Sequence, residues 1–167
     1  KAGVGIYLAD ATNIISPAAR TINLAEDATG MYGANGGNIQ LAGSILSTAD
    51  GAKGIASKNS ALSTIENAGS IDLLGKASVG MYGEGIDTIK NNTGRTVRVG
   101  DNNTVTGKAG VGLFGLNTVS VINEGNIEFG EGAAGIYGEN ISSGIENRAG
   151  AILKKNEKIN GTGIFAK

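Results

Sequence analysis

Apolar side chains recur at every second position in a set of short phrases along this chain. Ile71-Asp72-Leu73, Val97-Arg98-Val99 and Ile127-Glu128-Phe129 each put two apolar residues on one face and a charge on the other. With β-branched residues and flanking Gly, Asn or Asp, that alternation predicts short strands. Thr21-Ile22-Asn23-Leu24 is an earlier counterpart, and Pro17 marks a corner before it. A second phrase, an aliphatic residue, a variable one and then Asn, occurs as Ile65-Glu66-Asn67, Ile89-Lys90-Asn91, Val121-Ile122-Asn123 and Ile145-Glu146-Asn147. The third and fullest is Lys108-Ala109-Gly110-Val111-Gly112-Leu113-Phe114-Gly115. It returns as Lys1 to Tyr7 and Lys76 to Gly83, and in shorter form at Gly30-Met31-Tyr32-Gly33, Gly54-Ile55-Ala56, Gly135-Ile136-Tyr137-Gly138 and Gly163-Ile164-Phe165.

The glycine that anchors the third phrase falls at 5, 30, 54, 80, 112, 135 and 163, giving intervals of 25, 24, 26, 32, 23 and 28 residues. Self-similarity at that period marks a solenoid, whose units bury their apolar faces only against neighbours. Fixing about 25 backbones costs at least about 25 kcal/mol, and five or six inward side chains at about 1.5–3 kcal/mol each do not offset it alone. Three short strands and three turns per period, with no room for a helix, describe one coil of a parallel β-helix. The expectation is an all-β, open-ended segment spanning 1–167, with about six coils stacked at about 4.8 Å, roughly 30 Å in all.

Stacking brings equal registers together. The variable residue of the first phrase reads Asp72, Arg98, Glu128 through successive coils, and Glu66 is followed by Lys90, alternations of sign that adjacent strands favour. From the first phrase to the next anchor the distance is 8 (22 to 30), 9 (71 to 80) and 8 (127 to 135), but 15 between 97 and 112. About seven extra residues therefore form a loop near 100–107, where Asp101, Asn102, Asn103 and Thr104 are candidates for meeting a partner.

Six of the seven aromatics share one register: Tyr7, Tyr32, Tyr82, Phe114, Tyr137 and Phe165, with Ala56 breaking the column. Period two places Val4 with Ile6, Val79 with Met81 and Val111 with Leu113 inward, so the aromatics point out. Tyr7, Tyr32, Tyr82, Phe114 and Tyr137 could then stack sugars or meet a protein, although stacking from coil to coil is their simpler role. Asn67, Asn91, Asn123 and Asn147 form a corner column, where Asn can adopt the left-handed conformation and hydrogen-bond along the stack.

Composition sharpens this picture. Gly supplies 29 of 167 residues, Pro 1, and Trp none, which suits a turn-rich fold and argues against helices. The net charge of -1 gives no field for a polyanion, so nucleic acid is not an expected partner. No apolar run approaches the roughly 20 residues that cross a bilayer, so no membrane contact is expected of this segment. With no Cys there is neither disulfide nor thiol chemistry, and with no His the commonest general base is absent. No calcium-loop pattern occurs, and no cofactor or metal is expected. Gly110 to Gly115 matches G-x-G-x-x-G, but a dinucleotide site needs a helix after it, and strand follows here. Sequons such as Asn102-Asn103-Thr104 are incidental in a chain so rich in Asn, Ser and Thr. The acids at Glu26, Asp27, Glu124 and Glu131 read as turn charges. A β-helical polysaccharide hydrolase or lyase, the alternative to a non-catalytic rod, would need two carboxylates facing one groove.

The phrases Gly-Ile-Tyr-Gly, Ile-Glu-Asn-x-Gly-x-Ile and Lys-Ala-Gly-Val-Gly resemble the repeats in passenger domains of type V autotransporters, and most closely those of very large fusobacterial outer-membrane adhesins. The resemblance implies a right-handed β-helix, secretion through an outer-membrane barrel, and display on the bacterial surface, tethered through a C-terminal barrel. It further implies adhesion, with a host-cell protein or glycan, or another bacterium's surface, as partner. The lack of Cys fits a passenger that stays unfolded in an oxidising periplasm. A start in mid-repeat without an initiator Met points to a piece of a longer passenger, whose open strand edges would favour end-to-end association. No binding motif of that family is matched residue by residue.

Overall fold

The structure, a computed structural model, describes residues 3–9, 13–35, 37–155 and 160–167. Short strands follow one another around a closed path and then climb by one coil. The first coil is β1 (Val4–Ala9), β2 (Asn13–Ser16) and β3 (Thr21–Asn23), and the second β4 (Thr29–Ala34), β5 (Asn38–Leu41) and β6 (Ser44–Ser47). In the third, two strands run together as β7 (Lys53–Asn67), followed by β8 (Ser70–Leu73); the fourth repeats this as β9 (Val79–Asn91) and β10 (Thr96–Val99). The fifth is β11 (Val111–Leu116), β12 (Ser120–Asn123) and β13 (Asn126–Phe129), and the sixth β14 (Ala134–Glu139), β15 (Gly144–Asn147) and β16 (Ile152–Lys155). β17 (Thr162–Ala166) lies on the far side of β14.

Every ladder between these strands is parallel. One face runs β1-β4-β7-β9-β11-β14-β17, a second is built from β2, β5, the later parts of β7 and β9, β12 and β15, and the third runs β16-β13-β10-β8-β6-β3. The molecule is the expected right-handed parallel β-helix of about six coils, the hand that parallel crossovers almost always take. Three strand positions per coil are present throughout. Those of coils three and four fuse because the chain turns the corner near Ser60 with a register irregularity instead of a break.

The interior is made of columns. Met31, Ile55, Met81, Leu113 and Ile136 stack from the first face; Ile39, Ile65, Ile89 and Val121 from the second; Ile45, Ile71, Val97 and Ile127 from the third, all fully buried. Each such side chain contributes about 1.5–3 kcal/mol by burial.

At the anchor phrase the sequence expectation needs correction. Val79 and Val111 do not share the inward face with Met81 and Leu113; they share the register of Thr29 and Lys53 on the outer surface, and Val4 is exposed. The anchor glycine itself points in. A Cβ on Gly80 would lie 2.3 Å from the Val97 side chain and 2.5 Å from the Gly112 carbonyl. Two consecutive residues thus face inward, which simple alternation does not anticipate, and only a residue without a side chain leaves room for the third-face aliphatic.

The Asn column is a continuous chain of amides, buried at Asn67, Asn91 and Asn123 and exposed at Asn147. Asn67 donates to Asn91, Asn91 to Asn123 and Asn123 to Asn147, each at 2.8 Å. None of these four residues is left-handed. That conformation is taken instead by a second, exposed Asn column at another corner, Asn35, Asn59, Asn117 and Asn140, where Gly85 takes the fourth-coil place, and by Asp27 and Ala77 at the corner before the anchor strand. Ser16 stands in the first coil where the ladder later has Asn, and its hydroxyl accepts from the amides of Ala42 and Gly43. Pro17 does mark a corner, its carbonyl accepting from Arg20 N.

The charge registers hold with one change. Arg98 bridges Asp72 at 2.9 Å and Glu128 at 2.8 Å. Glu66 lies in register with Lys90, but Lys90 pairs with Glu124 at 3.1 Å, while Glu66 accepts from Gln40 and Asn92.

Replacing Asn91 with Ala would leave the buried amides of Asn67 and Asn123 each short of a partner. Urea unfolding is expected to show a loss of about 2–4 kcal/mol, against about 1 kcal/mol for Asn140→Ala at the exposed left-handed corner.

Candidate functional site

Two features leave the surface of the rod: the insertion before β11 and the aromatic column. The insertion is shorter than its sequence span. Asp101 and Asn102 belong to the stacked corner, since Ala77 N donates to the Asp101 carbonyl, Asn102 N donates to the Glu131 carbonyl, and the Asp101 carboxylate accepts from Glu131 N at 2.8 Å. What projects is a finger from Asn103 to Lys108, closed by an antiparallel bridge between those two residues. Asn103 organises it. Its side-chain oxygen accepts from Val105 N and Thr106 N, both at 3.1 Å, and its carbonyl from Gly107 N at 2.9 Å. Thr104 is exposed, and Val105 at the tip is 94% exposed.

The aromatics point outward, as expected. Tyr7 and Tyr32 stack at 5.7 Å between ring centroids. Beyond the break at Ala56, Tyr82, Phe114, Tyr137 and Phe165 form an uninterrupted pile at 5.2, 4.7 and 5.1 Å, with interplanar angles of 28°, 17° and 11°. Rings stacked along the rod axis cover one another's faces and present their edges to solvent, so the pile offers little face for a sugar to lie on. Ala56 is only 3% exposed. Beside it the Lys58 ammonium sits 5.4 Å from the centre of the Tyr82 ring and 2.6 Å from the Glu84 carboxylate, a cation at the place where the column lacks a ring.

Two of the four tyrosine hydroxyls are engaged as well. Tyr82 donates to Glu84 at 2.6 Å and Tyr137 to Glu139 at 3.1 Å. Burial, with the hydrogen bond to Glu84 behind it, pushes the Tyr82 phenol up to about 12. The Lys58 hydrogen bond, followed by that of Tyr82, holds Glu84 below the usual carboxylate range, and the same bond raises Lys58.

Finger and column meet along a groove of about 460 Å³. Lys108 and Ala109 of the finger's stem line it together with Val79, Val111, Phe114 and Tyr137, and Ala77, Lys53, Gly51 and Asp27 continue it toward the first coils. Val111 is 4% exposed yet lies outside the core cluster. Of the candidates read from the sequence, Phe114 and Tyr137 line this depression, while Asp101, Asn102 and Thr104 line a separate one of about 300 Å³ beside Lys76 and Glu131, and Tyr7 and Tyr32 line neither. Lys53, Val79 and Val111 escaped the sequence reading because alternation placed the valines inward; the Lys at the same register of the third coil was the signal against that.

Elsewhere one acid is held by two cations. Glu124 sits between Lys90 and Arg148, and the Arg148 hydrogen bond, then that of Lys90, lowers its pKa. Among the described residues no three Asp or Glu side chains gather as a metal site, and no helix is long and apolar enough to cross a membrane. The G-x-G-x-x-G string falls in β11 and is followed by strand β12. No protein-family model, no curated protein and no solved structure matches the chain.

Because the folded pKa of Tyr82 is raised above the ordinary value of about 10, its contribution to stability is complete below that pH and is lost as pH rises toward 12. Glu84 works in the other direction, contributing above its unfolded pKa and losing that contribution as pH falls through its lowered folded value. An absorbance titration is expected to show a late tyrosinate transition near pH 12 that Tyr82→Phe removes; an unaltered curve in that variant would mean the phenol is not held this way.

Proposed function

We propose that this chain is a segment of a surface-displayed adhesin, a rod that carries a contact site on one flank and does no chemistry itself. The observation that supports this most is the continuity of the ladders. Aliphatic columns, the Asn chain and the Arg98 bridges tie coil to coil, so the segment behaves as a stiff spacer, and among the described residues the finger is the insertion that leaves the stack. The repeat phrases resemble those of autotransporter passengers, consistent with display outside a bacterial outer membrane and with a host-cell or bacterial surface as the partner.

A sugar-cleaving role receives less support from the acids. A general acid needs a carboxyl pKa raised toward the working pH, whereas Glu84 and Glu124 are displaced downward. Asp72 and Glu128 share one Arg, a set fitted to holding the stack.

Beads coated with the 167-residue chain, offered to epithelial and bacterial cells in parallel with a polysaccharide panel, separate these roles. Adhesion above that of uncoated beads, with no new reducing ends or unsaturated products, is the expected result. Cleavage products from any polysaccharide would replace the adhesive role with a catalytic one.

A further inference from the structure

The finger and the groove beside it have the chemistry of a protein-docking surface. A valine that is 94% exposed stands on a finger whose tip amides are already tied to Asn103. An apolar side chain presented on a preorganised tip loses little conformational freedom when it enters a pocket. Below it, Val79, Val111 and Ala109 give the groove an aliphatic lining, and Lys53 and Lys108 add positive charge. Neither lysine forms an ion pair with a described residue, in contrast to Lys58 and Lys90. Asp27 is the acid in the lining, and it lies at the corner before the second coil, three coils from Lys108.

A glycan is poorly served by the same surface. Sugars need aromatic faces and free polar side chains; here the ring faces are covered by one another and the Tyr82 and Tyr137 hydroxyls are engaged by Glu84 and Glu139. Unpaired ammonium groups flanking aliphatic surface instead complement carboxylates around an apolar pocket.

We propose that finger and groove form one docking surface for a folded protein partner, which takes Val105 into an apolar pocket and sets carboxylates against Lys53 and Lys108. The proposal rests on the adhesive role above and names the chemical class of its receptor.

The test uses the 167-residue chain and intact epithelial cells that are untreated, protease-shaved or treated with broad-specificity glycosidases. The parent chain is expected to lose binding on shaved cells and keep it after deglycosylation. Val105→Asp, a solvent-exposed change whose fold is checked by circular dichroism and thermal unfolding, is expected to weaken binding about tenfold or more, as a central anchor would. The double variant Lys53→Glu/Lys108→Glu should weaken it and flatten its dependence on salt. Asn103→Ala keeps the valine while loosening the tip and should weaken binding about two- to fivefold. Binding that survives protease and falls after glycosidase assigns the site to a glycan and overturns the proposal. Unchanged binding by Val105→Asp and by the lysine variant overturns it while leaving the adhesive role standing. A parent chain that binds no untreated cell overturns both.

Discussion

Everything in this molecule answers to one constraint, that each position must tolerate its own equivalent one coil away, about 4.8 Å distant. Aliphatic residues meet it easily and fill the interior as Ile-on-Ile columns. Charges meet it only by alternating, as Arg98 does between Asp72 and Glu128. Amides meet it especially well, because a carboxamide carries donor and acceptor together and can pass a hydrogen bond upward, which is how Asn67, Asn91 and Asn123 lie buried without an unmatched group between them, the last donating to the exposed Asn147. Aromatic rings meet it by stacking, and in doing so cover the faces that would otherwise be available to a ligand.

Period, strand type, parallel stacking and the site of the insertion were legible in the sequence because they depend on the recurrence of residue types, which survives substitution of individual copies. Legibility ended where a position lacks a side chain. The inward orientation of Gly80 can be recognised only from what a Cβ would strike, and without it Val79 and Val111 are assigned to the wrong face. The left-handed corner was hidden for a related reason, since two Asn columns exist and the buried one has the plainer motif. Asn35, Asn59, Asn117 and Asn140 share only a place just past the anchor strand. The spacing places the insertion near 100–107, whereas the finger runs from Asn103 to Lys108, because Asp101 and Asn102 continue a corner whose other copies include Asp27, Gly51 and Ala77, residues with no common side-chain chemistry.

The outer surface carries two kinds of feature that resemble each other in sequence. The aromatic pile repeats, and so do its partners Glu84 and Glu139; such features satisfy neighbouring coils. Among the described residues the finger, with Val105 at its tip, has no counterpart on another coil, so stacking does not explain it. A repeat protein has little means of making one part of its surface specific other than to break its own period, and this chain does so where β9 and β11 must still pair. Because the corner at Asp101 and Asn102 is preserved, the insertion leaves the rod intact and adds its residues entirely on the outside.

That claim, an unbroken stack with a finger outside it, is tested most directly by amide hydrogen exchange with residue-level resolution across 96–116. Slow exchange is expected in both Thr96–Val99 and Val111–Leu116, fast exchange at Thr104, and intermediate protection at Val105 and Thr106, whose amides Asn103 holds. Exchange in the two flanking strands as fast as at the finger tip would contradict it, showing that the insertion interrupts the ladder between the fourth and fifth coils.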